Sequence, residues 1–205
     1  MRIKQLFLLG ALVVASTAVF GQKEQTVIGN RGLGFSGFWA GSTAGLTKFG
    51  SDYSVMRGGF FGFEFGKTLL IGGSHAQLEN NVKFDQLTAQ KFEMRYNGLQ
   101  IGTGIGNWRA VHPTVSVLGA NGKIKLASEG EDRIFVIQPQ AGVEINVTRW
   151  FHLGLDGGYR FVTDTGLPSL SDSQLSGAFG EIRFKFGWSW GGSRWNSKRD
   201  SNKKD

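Results

Sequence analysis

The stretch EIRFKFGW, residues 181–188, limits most sharply what this chain can fold into. Ile182, Phe184, Phe186 and Trp188 share one parity, and Glu181, Arg183 and Lys185 share the other. A period of two is that of a β-strand, whose successive side chains point to opposite faces. The pattern recurs. Val143, Ile145 and Val147 oppose Glu144 and Asn146, and Phe61, Phe63 and Phe65 oppose Gly62, Glu64 and Gly66. In NVTRWFHLGLDGGYRF, residues 146–161, Phe151, Leu153, Leu155, Tyr159 and Phe161 oppose His152, Asp156 and Arg160. Each segment therefore has an oily face and a charged one.

Counting such segments predicts eight strands, near residues 35–48, 54–66, 68–78, 91–106, 110–119 with an extension to 126, 133–148, 150–162 and 174–188. The connections alternate. Those at 66–68, 107–109 and 149–150 are short; those at 49–53, 79–90, 163–173 and before Asp132 are longer and polar. Short turns alternating with long loops, on an even strand count, are the signature of a membrane barrel with periplasmic turns and outer loops. Asn121 and Gly122 form a strong two-residue hairpin signal that would make nine strands. Eight are kept by reading this pair as a bulge or bend within a long hairpin whose tip is 128–132.

The chain begins MRIKQLFLLGALVVASTAVFGQ, a basic start and an apolar run ending in small residues. That is the form of a secretory signal peptide over residues 1–21, too short for a membrane helix. The expected organisation continues with a periplasmic linker at 22–32, a barrel at 33–190 and a polar basic tail, expected to be disordered, at 191–205. There is no cysteine, so no disulfide and no lipidated cysteine is expected. Of the net charge of +7, Arg2 and Lys4 contribute two and the tail three, which leaves the body near +2. Nothing in that balance calls for nucleic acid.

Two features decide which face meets lipid. A water-soluble barrel or sandwich would bury the oily face. Here Gly62, Gly142, Gly154 and Gly158 share the charged face, in a chain with 32 glycines but only 3 prolines. A narrow lumen filled by side chains needs small residues, and a wet surface does not. Aromatics also gather at strand ends: Trp39, Trp108, Trp150, Trp188 and Trp190 near the short turns, Tyr159 and Phe161 toward the opposite rim. They are expected to form interfacial belts. The expected architecture is an all-β, eight-stranded antiparallel up-and-down transmembrane β-barrel. Its oily face meets lipid, and Glu64, Glu144, Asp156, Arg160, Glu181, Arg183 and Lys185 pair with one another inside.

The phrase EINVTRWFHLGLDGGYRF, residues 144–161, resembles the strand–turn–strand of small eight-stranded outer-membrane proteins, such as the transmembrane domain of outer membrane protein A or the opacity-type adhesins. The resemblance covers about residues 32–190. It implies a bacterial outer-membrane monomer with both chain ends periplasmic, in contact with outer-membrane lipids and lipopolysaccharide and handled by the barrel insertion machinery. No particular loop partner is implied. The lumen of so small a barrel is filled by its own side chains, which argues against a general diffusion pore and for a structural or surface-interaction role. Many such proteins end in a terminal Phe, whereas this one ends its last strand in KFGWSW and adds a basic tail.

Candidate chemistry is sparse. GLGFSG at 32–37 matches the letters of a dinucleotide fingerprint but lacks the strand before and the helix after that give it meaning. His75, His112 and His152 lie on different segments without metal-ligand spacing, so no metal or cofactor is expected. His112 and His152 are expected in the lumen near the turns. Ser74, His75 and Glu79 raise one enzymatic reading, an outer-leaflet lipid-modifying enzyme. Adjacent strand residues point to opposite faces, so Ser74 and His75 are not expected to act as nucleophile and base, and no enzyme is expected. A third reading, a soluble secreted barrel binding an apolar ligand, requires the oily face to point inward.

Overall fold

The computed structural model describes residues 34–79, 92–107, 109–126 and 129–190. The expected signal peptide, linker and basic tail, Trp108, and most of the loop at 79–90 lie outside these residues. The elements are β1 (Phe35–Phe49), β2 (Asp52–Phe65), β3 (Leu69–Leu78), β4 (Phe92–Gly104), β5 (Val111–Leu126), β6 (Gly130–Asn146), β7 (Phe151–Thr163), a single-turn helix α1 (Asp172–Leu175) and β8 (Gly177–Ser189). Each strand pairs antiparallel with the next, and β8 pairs back with β1 from Gly37↔Ser189 to Thr47↔Phe179. The sheet is thus a closed barrel with no free edge.

The eight strands are those the sequence predicts, but the expected alternation of short turns and longer loops is not kept: the ladder runs on to Phe49↔Asp52, so the loop-side β1–β2 connection is only 50–51, whereas the turn-side β4–β5 connection spans 105–110. At the turn end, β2 and β3 are joined through Gly66 and Lys67, both left-handed at φ 58. That handedness matches strand twist, and glycine adopts it without steric cost. At the loop end, β1 and β2 meet through a turn containing Gly50 at φ 54.

Three further details differ from expectation. Asn121 and Gly122 are neither turn nor bulge. They continue the ladder on both sides, Asn121 opposite Asn97 and Phe135, Gly122 opposite Tyr96 and Ile134, and neither has a positive φ. Gly122 faces inward, where an added Cβ would lie 2.8 Å from the Cβ of Tyr96 and 3.0 Å from Ile134 Cγ1. Its glycine serves close packing. The hairpin tip is accordingly shorter than the expected 128–132: the ladder closes at Leu126↔Gly130, and Glu131 and Asp132 belong to β6. Finally, 172–175 is helical rather than the start of β8. Ser171 and Gln174 stand three apart, and the Ser171 N–H donates to Gln174 Oε1 at 2.9 Å, one half of a capping box.

The oily face points outward. Phe61, Leu155, Phe161, Ile182, Phe184 and Phe186 are all exposed on the barrel wall, as are Val115, Val117, Val143 and Ile145. The inward-pointing reading required for an apolar ligand inside is overturned by this orientation. Contiguous apolar surface on this scale is not what a water-soluble monomer presents.

Candidate functional site: the packed lumen

The lumen has three layers. Nearest the turns, Glu144 is the centre. It sits on β6 opposite His112 of β5 and Gly154 of β7. Its carboxylate accepts from Lys185 Nζ at 2.9 and 3.2 Å, meets His152 Nδ1 at 2.8 Å and Arg183 Nη2 at 3.4 Å, and lies 3.7 Å from His112 Nε2. The glycine at 154 makes this possible: it stands between Glu144 and Arg183 in the ladder, and an added Cβ would come within 3.1 Å of Arg183 Nε. The guanidinium therefore lies over Gly154 and bridges to a second carboxylate, with Nη2 3.3 Å from Asp156 Oδ2. Thr114 donates to Asp156 Oδ1 at 3.2 Å. Two acids and two cations share one enclosed space, and the contacts to Lys185 and His152 at 2.8 to 3.2 Å offset the cost of burying Glu144.

Glu64 reaches the lumen as expected, but hydroxyls and an indole hold it. It accepts from Ser36 Oγ at 2.9 Å, Trp39 Nε1 at 3.0 Å and Ser189 Oγ at 2.5 Å. This corrects the expectation for Trp39. The side chain is 1% exposed and points inward, because its odd number on β1 gives it the parity of Thr43, Thr47 and Phe49. Proximity to a strand end suggested a lipid-facing belt; parity decides the face. Its indole packs on the His152 ring at 4.4 Å between centroids, with Lys185 Nζ 4.6 Å from its own ring. Phe38 takes the outward place beside it, 40% exposed.

The middle layer is uncharged except at its edge. Tyr96 donates to Gln138 Oε1 at 2.8 Å, and Gln138 Nε2 donates to Gln140 Oε1 at 3.2 Å. Glu181 lines this layer and stands opposite Asp156 in the ladder, outside the set of groups around Glu144. Two cavities of about 30 and 40 Å³ flank Phe60 and Arg183, room for a few waters each.

The third layer, toward the loops, is apolar: Phe49, Met56, Phe92, Met94, Leu118, Ile124, Leu126, Ile134, Val136 and Val162. The β7–β8 connection folds over it and inserts Leu167, Leu170 and Leu175. Buried among them is Arg160, 1% exposed. The expected pairing of Arg160 with the lumen carboxylates is not found. Its Nε and Nη2 donate to Leu175 O at 3.1 and 2.8 Å, Nη2 also to Lys48 O at 3.3 Å, and Nη1 to Thr47 Oγ1 at 2.7 Å. Its Cζ lies 4.2 Å from the Phe49 ring centroid. A guanidinium carries five donors in a planar fork, and carbonyl oxygens satisfy them without a counter-charge. The loop is further tied to the β5–β6 tip: Gly166 N donates to Asp132 Oδ2 at 2.5 Å, and Ser169 hydrogen-bonds Glu129.

His112 and His152 lie in the lumen beside Glu144, as expected. Ser74 points inward and donates to Gly59 O at 3.4 Å, while His75 is on the outer wall over Gly59, and Glu79 pairs with Arg57 at 3.2 Å. The three do not form a site. Trp150, Trp188, Trp190, Tyr159 and Phe161 all lie on the outer wall. Trp190 packs edge-on against Phe35 at 5.1 Å, Trp150 stacks with Phe186 at 6.3 Å, and Tyr159 meets Phe161 at 4.7 Å. Sequence reading missed the leucines of the β7–β8 connection; Leu167, Leu170 and Leu175, spaced three and five apart in an otherwise polar loop, were the available signal.

No protein-family model and no curated protein matches the chain. Solved structures do. Neisserial surface protein A aligns over 75% of this chain and 96% of its own, with 12% identity and a TM-score of 0.55. The outer membrane protein OprG from Pseudomonas aeruginosa aligns over 75% and 96%, with 10% identity and a TM-score of 0.48. Ail, the attachment invasion locus protein of Yersinia pestis, aligns over 76% and 97%, with 16% identity and a TM-score of 0.45. The likeness to the neisserial protein shows a shared fold, the closed eight-stranded antiparallel barrel.

Proposed function

We propose that this chain is an integral barrel of a bacterial outer membrane, monomeric, with its short turns and both chain ends on the periplasmic side. Its role is structural or surface-interacting: it holds loops at the outer surface and braces the envelope. The observation that carries the reading is a closed barrel with an apolar outer wall around a charged interior. In lipid, backbone polar groups must be satisfied within the protein, and a barrel without edges meets that condition.

Solute diffusion does not fit this interior. The Glu144 cluster fills one end, Leu167, Leu170 and Leu175 close the other, and the cavities between hold only a few waters. Catalysis has no support in the arrangement of Ser74, His75 and Glu79, and His75→Ala is expected to leave the acylation profile of lipid A unchanged by mass spectrometry.

Heat-modifiability tests the reading. Washed outer membranes are run on a denaturing gel with and without boiling. A compact band that shifts on boiling is expected. An unshifted band in the soluble periplasmic or secreted fraction would overturn the membrane assignment.

A further inference from the structure

The outer wall changes character along the strands. Beyond the apolar level of Leu99 and Val117 comes a polar step, Asn97 opposite Asn121. One alternate position further, the ladder aligns Arg57 of β2 with Gln77 of β3, Gln77 with Arg95 of β4, Arg95 with Lys123 of β5, and Lys123 with Arg133 of β6. All five side chains are exposed. Four cations thus stand in one continuous row across five neighbouring strands, with no acid in the row.

Neighbouring strands lie about 4.8 Å apart, so Arg95, Lys123 and Arg133 fall within about 10 Å of backbone. Like charges directly opposite one another destabilise a sheet. The carboxylates nearby answer only part of this charge: Glu79 pairs with Arg57 and Glu131 with Lys123, while Glu93 stands opposite Lys125. Five cations, Lys125 included, face three acids. The row costs stability inside the protein and fits a partner carrying more than one negative group.

We propose that this row is a binding site for the phosphates of the outer-leaflet glycolipid, with Arg95, Lys123 and Arg133 as its centre. Three features support that occupant. Arg95, Lys123 and Arg133 lie toward the loop end, each three residues from the loop-side end of its strand and just past the apolar wall, where a lipid headgroup would sit. Its cations are spread over several strands, which suits a headgroup bearing two separated phosphates better than a phospholipid with one. Arginine and lysine stems reach along apolar surface while their charges meet phosphate. The inference rests on the proposed membrane orientation, which places the loop end outside.

The full mature chain is folded into phosphatidylcholine vesicles alone, or doped with bisphosphorylated lipid A, dephosphorylated lipid A, or phosphatidylglycerol. The temperature at which the compact gel band converts is read in each. A barrel that forms no compact band in phosphatidylcholine sinks the membrane reading itself, and the site with it. With the compact band present, bisphosphorylated lipid A is expected to raise the conversion temperature by several degrees over both other additives. The triple variant Arg95→Gln, Lys123→Gln, Arg133→Gln is expected to keep its compact band in phosphatidylcholine and lose that increment. An equal increment from dephosphorylated lipid A or phosphatidylglycerol, or an increment retained in the variant, would overturn the site while leaving the barrel assignment intact.

Discussion

The two ends of the lumen solve the same problem in opposite ways. At the turn end, charges are buried together, and Glu144 is satisfied by side chains from β5, β7 and β8. At the loop end the interior is apolar, and its one buried guanidinium is satisfied chiefly by main-chain oxygens of Lys48 and Leu175. In the first case the partners ride on strands, and their positions are set once the ladder forms. In the second, one partner belongs to a connection that must fold back into the mouth. Side-chain pairing thus braces the barrel, whereas main-chain pairing latches a loop.

The strongest way to break this contrast is Glu144→Ala, which takes the carboxylate from Lys185 and leaves Arg183 with Asp156 alone. The loss is expected to be about 3 to 5 kcal/mol, read from the urea midpoint of tryptophan fluorescence, with the loop unaffected. Arg160→Met should behave differently. It removes the latch for about 2 kcal/mol, and limited proteolysis should cut within 164–176 while the compact gel band persists. A cut elsewhere, or none, would mean that the loop holds without Arg160. Trp39→Phe sharpens the account of the turn end. It keeps the packing on His152, loses the bond to Glu64, and should cost about 1.5 kcal/mol in the same urea titration. Lys123→Ala removes the exposed ion pair with Glu131 and, in the opposite sense, the repulsion from Arg95 and Arg133, and should give the smallest shift of the urea midpoint, one that vanishes in high salt.

Much of this was legible in the order of residues. The alternation in 143–147 and 181–188 fixes both strand and face, so the inward positions of Glu144, Arg183 and Lys185 follow directly. Trp39 shows where a second criterion misled: height along a strand was allowed to outweigh parity. Asn121 and Gly122 carry a genuine hairpin signal, but pairing on both sides with β4 and β6 outweighs a local preference. Arg160 was placed in the lumen correctly and given the wrong partners. Thr47 lies 113 residues away and Leu175 offers only a carbonyl, which no side-chain pattern announces. The helix at 172–175 is too short for any periodicity to reveal.

The pairing of β8 with β1 has a consequence for how the protein is made. The first strand to be synthesised must wait for the last before its outer edge finds a partner. A chain that stops before residue 177 would carry two unpaired edges, and neither can be left bare in hydrocarbon. In the proposed membrane setting, assembly is therefore a single act of closure, in which the whole circle of strands is accepted or none of it. Cutting the chain at one of the short turns and joining the old ends would move this seam without changing the circle.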